Sequence, residues 1–331
     1  LVVSYPVTAI DEVHIYLLKA KIFLDHRMLD FDYTEISTNS YPVFWPLYLT
    51  LQFIFTAGDH DQIAKLSSAL VFMSSLGLMK SLAIGLGFDR RTSWLVVGVF
   101  LIFFHYYAIF TALAENISVA LMLAGTTCLI DWFKSKSKGS LYATVFILTG
   151  MCGVKYESLA VVGIFFLAAI FSENIKAGGL WQNIRSPLPL LMAALICPLW
   201  LFWLDLQGVH SYPAGTRGTF NPRDVFTTIG IIWGYFAHYR ISLYILLLAI
   251  FFPLVIRNPR RWSPGERFLM FLTGGLLLYA LINGLTWTMY FPDSDMRRYY
   301  PELLLRLAAR AMPSAVLVWM SRTLLIGKLD K

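Results

Sequence analysis

Long apolar runs constrain this 331-residue chain more than any other feature. Several of them approach or reach the ~20 residues that a helix needs to cross the hydrocarbon of a bilayer. Lipid offers no partner to a backbone N–H or C=O group, so spans of this kind must be helices. The strands of an outer-membrane barrel would alternate polar and apolar residues, which these runs do not. The sequence therefore predicts an all-α, polytopic transmembrane bundle. The clearest runs are 66–86, 94–113, 117–133, 188–206, 241–256 and 268–285.

Charged residues make up 14% of the chain, against roughly 25% in an average soluble domain. This is too little charge to cover a water-facing surface. The formal net charge of +7 raises nucleic-acid binding as one interpretation, but a basic cytoplasmic face explains it better, and no nucleic-acid partner is expected. Cys128, Cys152 and Cys197 lie inside apolar runs, so we expect small core residues instead of a disulfide or metal site.

Lysine and arginine separate the connections into two alternating sets. One set is short and almost purely basic, which predicts the cytoplasmic side; it contains Arg90, Arg91, Lys134, Lys136, Lys138, Lys176, Arg185, Arg257, Arg260, Arg261, Arg267, Arg322, Lys328 and Lys331. The other set mixes acids, aromatics, proline and histidine, and is predicted to face outward. It comprises 11–41, the turns near Glu115 and Lys155, 207–240 and 286–302.

This alternation predicts about ten spans in a single domain, 1–331. They begin with Leu1–Ile10 and continue at about 65–86, 93–113, 116–133, 140–154, 157–172, 187–206, 241–256, 268–286 and 303–321. The alternation holds only if Phe44–Ala57 does not cross, so this segment is predicted to be a re-entrant or amphipathic helix in the interface. The first outward loop, 11–41, is expected to carry interfacial helices as well.

Five polar clusters lie in the predicted outward connections, where ionisable groups near a membrane are candidates for function. They are Asp11-Glu12 with His14, Tyr41–Tyr48, Glu115, Gly150–Glu157, and Asp293–Pro301. The adjacent carboxylates Asp11 and Glu12 suit a general base or a divalent cation site, and a solvated loop is the alternative. Glu115 is either a helix cap, since acids favour helix N-termini, or a catalytic carboxylate, and the two roles are compatible.

The remaining clusters also have two interpretations each. Lys155 is either a phosphate contact or a lysine paired or snorkelling near Glu157. Arg297 and Arg298 run against the positive-inside bias, so they either bind a phosphate or pair with neighbouring aspartates. The aromatics of Tyr41–Tyr48 suit substrate contact or anchoring in the interface, and the two prolines of this stretch predict that no continuous helix passes through it.

Several common chemistries are missing from the sequence. It contains no Walker-type phosphate loop, no glycine-rich nucleotide fingerprint, no HExxH, no CxxC and no GxSxG. An enzyme that uses ATP or a nucleotide sugar is therefore disfavoured, and an activated lipid becomes the more attractive donor.

Taken in order, these clusters resemble the GT-C superfamily of membrane glycosyltransferases, in particular the branch of protein O-mannosyltransferases and lipid A aminoarabinose transferases. The likeness covers roughly 1–172 and 286–321. It rests on the acidic pair, the Pro-aromatic stretch, an acid at the outer end of a later span, a Gly-x-x-Gly-x-Lys turn, and Arg-Tyr before a proline.

The resemblance implies inverting transfer of a sugar from a polyprenyl-phosphate donor to a hydroxyl of a glycan, lipid or protein acceptor. The membrane would be a bacterial inner membrane or the eukaryotic ER, with the active site on the periplasmic, extracellular or lumenal side. By the same resemblance Asp11 is the base that deprotonates the acceptor, and Glu12 supports it or binds a divalent metal cation. Glu115 orients the acceptor or the metal, and the transfer is either metal-assisted or metal-independent.

The same resemblance assigns the donor phosphate to Lys155, Arg297, Arg298 and Tyr299, and the polyprenyl chain to an apolar groove between helices. Acceptor or loop contacts are expected from His14, Tyr41, Trp45, His210 and Arg217. Two departures bear on these assignments. The turn reads Gly-Val-Lys-Tyr where Thr-Lys is more usual, and the chain ends soon after the Arg-Tyr segment, so acceptor recognition is expected to depend on 207–240 or on an additional membrane subunit.

Three other functions are compatible with a many-pass protein. A polymerase or ligase of lipid-linked glycans would share the outer basic residues, although Asp11-Glu12 fits it poorly. A transporter or flippase predicts ionisable groups at the midplane and repeated halves, and only Lys80 and His105 lie in mid-span. A non-catalytic membrane subunit predicts that Asp11 has no role in activity.

Overall fold

The computed structural model describes residues 16–27, 42–56, 61–108, 114–172, 179–208, 262–290, 310–311, 313–318 and 320–321. Within these ranges every regular element is helical, which confirms the all-α prediction for this part of the chain. The α-helices are α1 (Leu18–His26), α2 (Phe44–Phe55), α3 (Asp61–Gly85), α4 (Arg90–Ala108), α5 (Ala114–Ser135), α6 (Lys138–Cys152), α7 (Ser158–Ser172), α8 (Gly179–Arg185), α9 (Ile196–Leu206) and α10 (Pro264–Tyr290). A 3-10 helix, Leu188–Leu195, precedes α9.

Seven of the predicted spans correspond to helices in the described ranges. Among the residues that the structure describes, three stretches are long and apolar enough to cross a membrane: Ala64–Gly85, Asn116–Ser135 and Asn183–Leu206. They identify an integral membrane protein. Helices α6 and α7, predicted to be short, have 15 residues each. The predicted spans Leu1–Ile10 and 241–256, and most of 303–321, lie outside the described residues, so the count of about ten stays a prediction.

Helix α2 begins inside the Pro-aromatic stretch. No continuous helix was predicted to pass through this stretch, and Pro42 and Val43 indeed lie before the helix, which starts at Phe44 and includes Pro46. Pro46 is in the first turn, where a backbone N–H has no intrahelical partner, so its missing donor costs nothing there. Twelve residues of helix measure about 18 Å, short of the ~30 Å hydrocarbon core.

The internal contacts divide the chain into two compact units. The first comprises Leu1–Gly85, Phe104–Phe166 and Ile184–Pro213. Its central helix is α5, whose buried side chains recur at helical spacing along one face and pack between α3 and α6. They include Val119, Met122, Leu123, Thr126, Ile130 and Phe133.

Hydrogen bonds between the helices of this first unit show which of them are parallel and which are antiparallel. Asn116, near the start of α5, donates to Ser68 of α3, and Lys134, near the end of α5, donates to the carbonyl of Gly85. Helices α3 and α5 are therefore parallel. Ser140, near the start of α6, donates to Asp131 near the end of α5, so α6 runs back and brings its C-terminal turn to the end where Asn116 lies.

The second unit comprises Leu86–Phe103, Leu167–Asn183 and Ala214–Lys331. Its longest described helix, α10, starts with a capping box: the Ser263 N–H donates to Oε2 of Glu266 at 2.8 Å, and the Glu266 N–H donates to the Ser263 hydroxyl at 3.3 Å. Further along α10, the hydroxyl of Thr273 lies 2.8 Å from that of Ser314. This bond joins α10 to the helical residues 313–318.

Candidate functional site

The first unit has two chemically different ends. One, here called the Lys155 end, contains Asn116 and the turn 153–157. The other, called the Lys134 end, contains Gly85 and residues 134–138. Of the basic residues predicted to be cytoplasmic, Lys134, Lys136 and Lys138 lie at the Lys134 end, and the predicted outward turns near Glu115 and Lys155 lie at the Lys155 end. These described residues lie at opposite ends of the unit, and which end faces the cytoplasm stays a prediction.

At the Lys155 end the Pro-aromatic stretch meets the glycine turn. The backbone N–H of Phe44 donates to the carbonyl of Gly153 at 3.1 Å. A Cβ added at Gly153 would overlap the ring of Phe44, so glycine is needed here because α2 approaches closely. The backbone of Gly153 has φ −71°, which any residue adopts. Two motifs that are about 110 positions apart in sequence are therefore in direct contact.

A buried core joins these two motifs to two more. It consists of Tyr16, Leu17, Ala20, Trp45, Leu49, Phe53, Ala64 and Val154, and is called the junction cluster below. Tyr16 follows the acidic pair of the first loop by four residues, and Val154 precedes Lys155. Ile117, two residues after Glu115, packs against the same cluster. The junction cluster thus brings the neighbours of four predicted polar clusters to one end of the unit.

Lys155 itself is buried in the turn between α6 and α7, with 6% of its surface exposed. Its backbone N–H donates to the carbonyl of Met151 at 3.3 Å, and its own carbonyl accepts from the Ser158 N–H at 3.1 Å. The two bonds hold the turn in one shape. The side chain interacts within the protein, and its three ammonium hydrogens allow more than one partner.

Two further buried lysines were missed in the sequence. Lys19 on α1 and Lys65 on α3 are each 2% exposed, and each adjoins a member of the junction cluster, Ala20 or Ala64. Neither was singled out from the sequence, since a lysine at the edge of an apolar run usually reaches water. The available signal was the run Tyr16–Phe23, in which Lys19 is flanked by apolar residues on both sides.

Burial lowers the pKa of Lys19 from its ordinary value of 10.5 to about 7. The helix that carries it has nine residues, too few to span a bilayer. Helix α2 packs against α1 and has no charged side chain; Tyr48 is its one titratable residue. The cause of the lowered pKa is therefore loss of hydration around the ammonium group.

This lowered pKa predicts how stability depends on pH. Between pH 7 and 10.5 the unfolded chain holds a proton on Lys19 that the folded chain has lost, so this group makes the fold more stable as pH rises. Below pH 7 both forms are protonated and the full cost of burying the charge remains. Lys19→Met is therefore expected to melt above wild type at pH 6 to 7, with the difference shrinking toward pH 10.

Tryptophan fluorescence during heating, at several pH values in one detergent, measures this effect. Lys138→Met is the matched control, since Lys138 is exposed and its replacement should leave the melting profile parallel to wild type at every pH. A constant offset for Lys19→Met across the whole range would contradict the prediction.

The other predicted site residues are placed as follows. Trp45 is fully buried in the junction cluster and stacks on Tyr48 with ring centroids 5.2 Å apart, so in this structure its indole has a core position. Glu115 is the second residue of α5, in the first turn, where a carboxylate is favoured by the helix dipole. The remaining predicted residues lie outside the described ranges: Asp11, Glu12, His14, Tyr41, His210, Arg217, Arg297, Arg298 and Tyr299.

The predicted metal site falls on Asp11 and Glu12, so its geometry is not among the described features. Within the part of the chain that the structure describes, no three His, Cys, Asp or Glu side chains gather as metal ligands. A divalent cation at the acidic pair stays a prediction.

An apolar pocket of about 400 Å³ opens beside the glycine turn. Its walls come from the start of α2, the end of α6 and α9, and include Phe44, Cys152, Gly153, Leu199, Trp200 and Trp203. The rings of Trp200 and Trp203 stack with their centroids 5.1 Å apart. Cys152 and Cys197 are free thiols. Gly153, which lines the pocket, precedes Lys155 by two residues. The pocket therefore adjoins the turn that contains Lys155.

No family model matches the chain, and no curated protein matches it. A solved structure that is similar, the crystal structure of ArnT from Cupriavidus metallidurans in the apo state, shares 11% identity at a TM-score of 0.49, over 96% of this chain and 73% of that one. At these values the likeness establishes neither a shared fold nor a shared activity.

Proposed function

We propose that this protein transfers a sugar from a polyprenyl-phosphate donor to an acceptor hydroxyl at the non-cytoplasmic face of a membrane. One observation carries the proposal: residues beside four polar clusters, spread from Tyr16 to Val154, pack into a single junction cluster at the Lys155 end. A shared core of this kind is what a site assembled from separate loops requires. The order of the motifs, which resembles GT-C glycosyltransferases, supports the same function.

In the proposed reaction Asp11 removes the proton of the acceptor hydroxyl. The hydroxyl oxygen then attacks the anomeric carbon of the sugar from the side opposite the phosphate, and the bond between that carbon and the phosphate oxygen breaks. Negative charge develops on the departing lipid phosphate. Lys155, Arg297 and Arg298 stabilise it in the transition state.

The donor's chain is assigned to the apolar pocket beside Gly153. The pocket has aromatic and aliphatic walls, which favour burial of an isoprenoid by the hydrophobic effect. A chain lying there would place its phosphate near the turn that contains Lys155. A transporter, a glycan polymerase or a non-catalytic subunit has no specific feature among the described residues in its favour.

Mass spectrometry of lipid that co-purifies with the full chain tests the donor class. We expect a polyprenyl phosphate or its glycosylated form, because its phosphate and chain suit Lys155 and the pocket respectively. Reconstituted protein supplied with such a donor should then release free polyprenyl phosphate only when an acceptor is present. Transport of the intact glycolipid across vesicles, with no release of the sugar, would contradict the proposal.

A further inference from the structure

Two of the three cysteines lie side by side next to the apolar pocket. Cys152 is the last residue of α6 and Cys197 is the second residue of α9, and 45 positions separate them in the chain. The Cys197 thiol donates to the backbone carbonyl of Cys152 at 3.8 Å, and the two side chains are within hydrogen-bonding reach of each other. The sequence predicted small core residues, and the fold brings two of them together as a pair.

The pair is reduced and withdrawn from water. Both residues are free thiols, and only 1% of the surface of Cys152 and 3% of that of Cys197 are exposed. A disulfide forms where the Cβ atoms of two cysteines can come within about 3.5–4.5 Å of each other. Two side chains that already touch need only a small further approach to form the S–S bond.

The pocket provides a route to these thiols. Cys152 is one of its wall residues, beside the aromatic side chains of Trp200 and Trp203. A buried thiol is ordinarily inert, because a reagent must reach it before its thiolate can react. Apolar walls admit an uncharged reagent and exclude a charged one, since a charge that leaves water for an apolar cavity loses its hydration. The reactivity of the pair therefore depends on the charge of the reagent.

We propose that Cys152 and Cys197 are a modification site for uncharged organic disulfides, which enter through the pocket and convert the pair into an intramolecular disulfide. The thiolate of Cys152 attacks one sulfur of the reagent, breaks its S–S bond and releases the first thiol. The thiolate of Cys197 then attacks the Cys152 sulfur and releases the second thiol. The two released thiols carry away the two protons of the pair, so the reagent gains the two electrons that the cysteines lose.

Cys128 is a control built into the chain. It lies on α5 and is only partly buried. The start of α6 adjoins Asp131, three residues after Cys128, whereas Cys152 ends that 15-residue helix. Most of the length of α6, about 22 Å in all, therefore separates Cys128 from the pair. Cys128 can accept a reagent, but the second attack that completes a disulfide should not follow.

Dithiodipyridine, an uncharged aromatic disulfide, tests the site on the full chain in detergent. Absorbance of the released thiopyridone gives the rate, and mass spectrometry of peptides identifies the product. Wild type and Cys128→Ala should both contain a disulfide between Cys152 and Cys197, with no reagent attached to either. Cys197→Ser retains a hydrogen-bond donor for the Cys152 carbonyl, and it should instead keep one pyridylthio group on Cys152, because the second attack is missing.

Farnesol and oxidised glutathione test the route. Farnesol at about ten times its dissociation constant should slow disulfide formation about 10-fold, because only the pockets that it leaves empty can react. It should not change the rate at which Cys128 reacts. Oxidised glutathione is charged, so it should leave the pair reduced while dithiodipyridine oxidises it.

The site is wrong if wild type keeps pyridylthio groups on both cysteines of the pair, or if both stay free thiols while Cys128 reacts completely. Equal rates with and without farnesol, or with oxidised glutathione in place of dithiodipyridine, would show that the pocket is not the route. The link between this pocket and a lipid donor rests on the function proposed above. Absence of polyprenyl phosphate from the purified protein would remove that donor and leave the disulfide and its protection by farnesol standing.

Discussion

Asp11→Asn is expected to reduce sugar transfer by about 10²- to 10⁴-fold, the range that a positioned general base contributes. The amide keeps the size of the side chain but cannot accept the proton of the acceptor hydroxyl. Donor binding should remain, since the phosphate is assigned to residues elsewhere. Release of polyprenyl phosphate from a glycosylated donor, measured in vesicles at saturating donor, gives the rate.

Asp25→Asn is the matched control for this experiment. Asp25 lies on α1 in the same predicted outward loop and is exposed, so its replacement should change neither rate nor donor affinity. Full activity of Asp11→Asn would remove Asp11 from the reaction. Equal loss of activity and donor binding would show that the variant disturbs the fold of the loop. The role of Asp11 as base would then be tested by measuring how the wild-type transfer rate depends on pH.

The second large effect is expected at the glycine turn. Gly153→Ala brings a methyl group closer to the ring of Phe44 than van der Waals contact allows, so α2 or its first aromatic residue must move. Overpacking of this kind typically costs about 1–3 kcal/mol, and the protein should unfold at a lower denaturant concentration. The bond from the Phe44 N–H to the Gly153 carbonyl and the wall of the pocket should be disturbed together.

The same substitution at a second glycine provides the control. A Cβ at Gly150, three residues earlier in α6, meets nothing within 4 Å, and alanine in a helix is favoured over glycine by about 0.5–1 kcal/mol. Gly150→Ala should thus be neutral or stabilising. Phe44→Ala should abolish most of the penalty of Gly153→Ala, since the clashing ring is gone. Additive effects in the double variant would show that the two residues do not meet.

Much of the fold in the described ranges could be predicted because the rule behind it is local. Apolar length and the lack of hydrogen-bond partners in lipid decide that runs such as 116–133 are helices. The prolines also acted locally, since no continuous helix runs through the Pro-aromatic stretch. What residue spacing did not reveal is that Pro46 lies within the first turn of α2.

The candidate site was predictable only in part. The glycine turn and the Pro-aromatic stretch were each recognised, but the sequence contains no sign that Phe44 touches Gly153. Lys19 and Lys65 were passed over because burial depends on what other helices bring to a residue. Trp45 was assigned to acceptor or loop contacts, and its burial in the junction cluster could not be predicted, since its neighbours on α1 and α3 are separated from it in the chain.

What the sequence determined by itself is the class of protein. Long apolar runs, scarce charge and alternating basic connections require helices in a membrane, because the energetic cost of unpaired backbone groups and charges in lipid acts on each segment separately. Only the tertiary structure decided which segments meet at the Lys155 end, that glycine is needed at 153, and that three lysines are withdrawn from water. These features depend on how side chains of distant segments pack against each other. The residue pattern of a single segment contains no information about that packing.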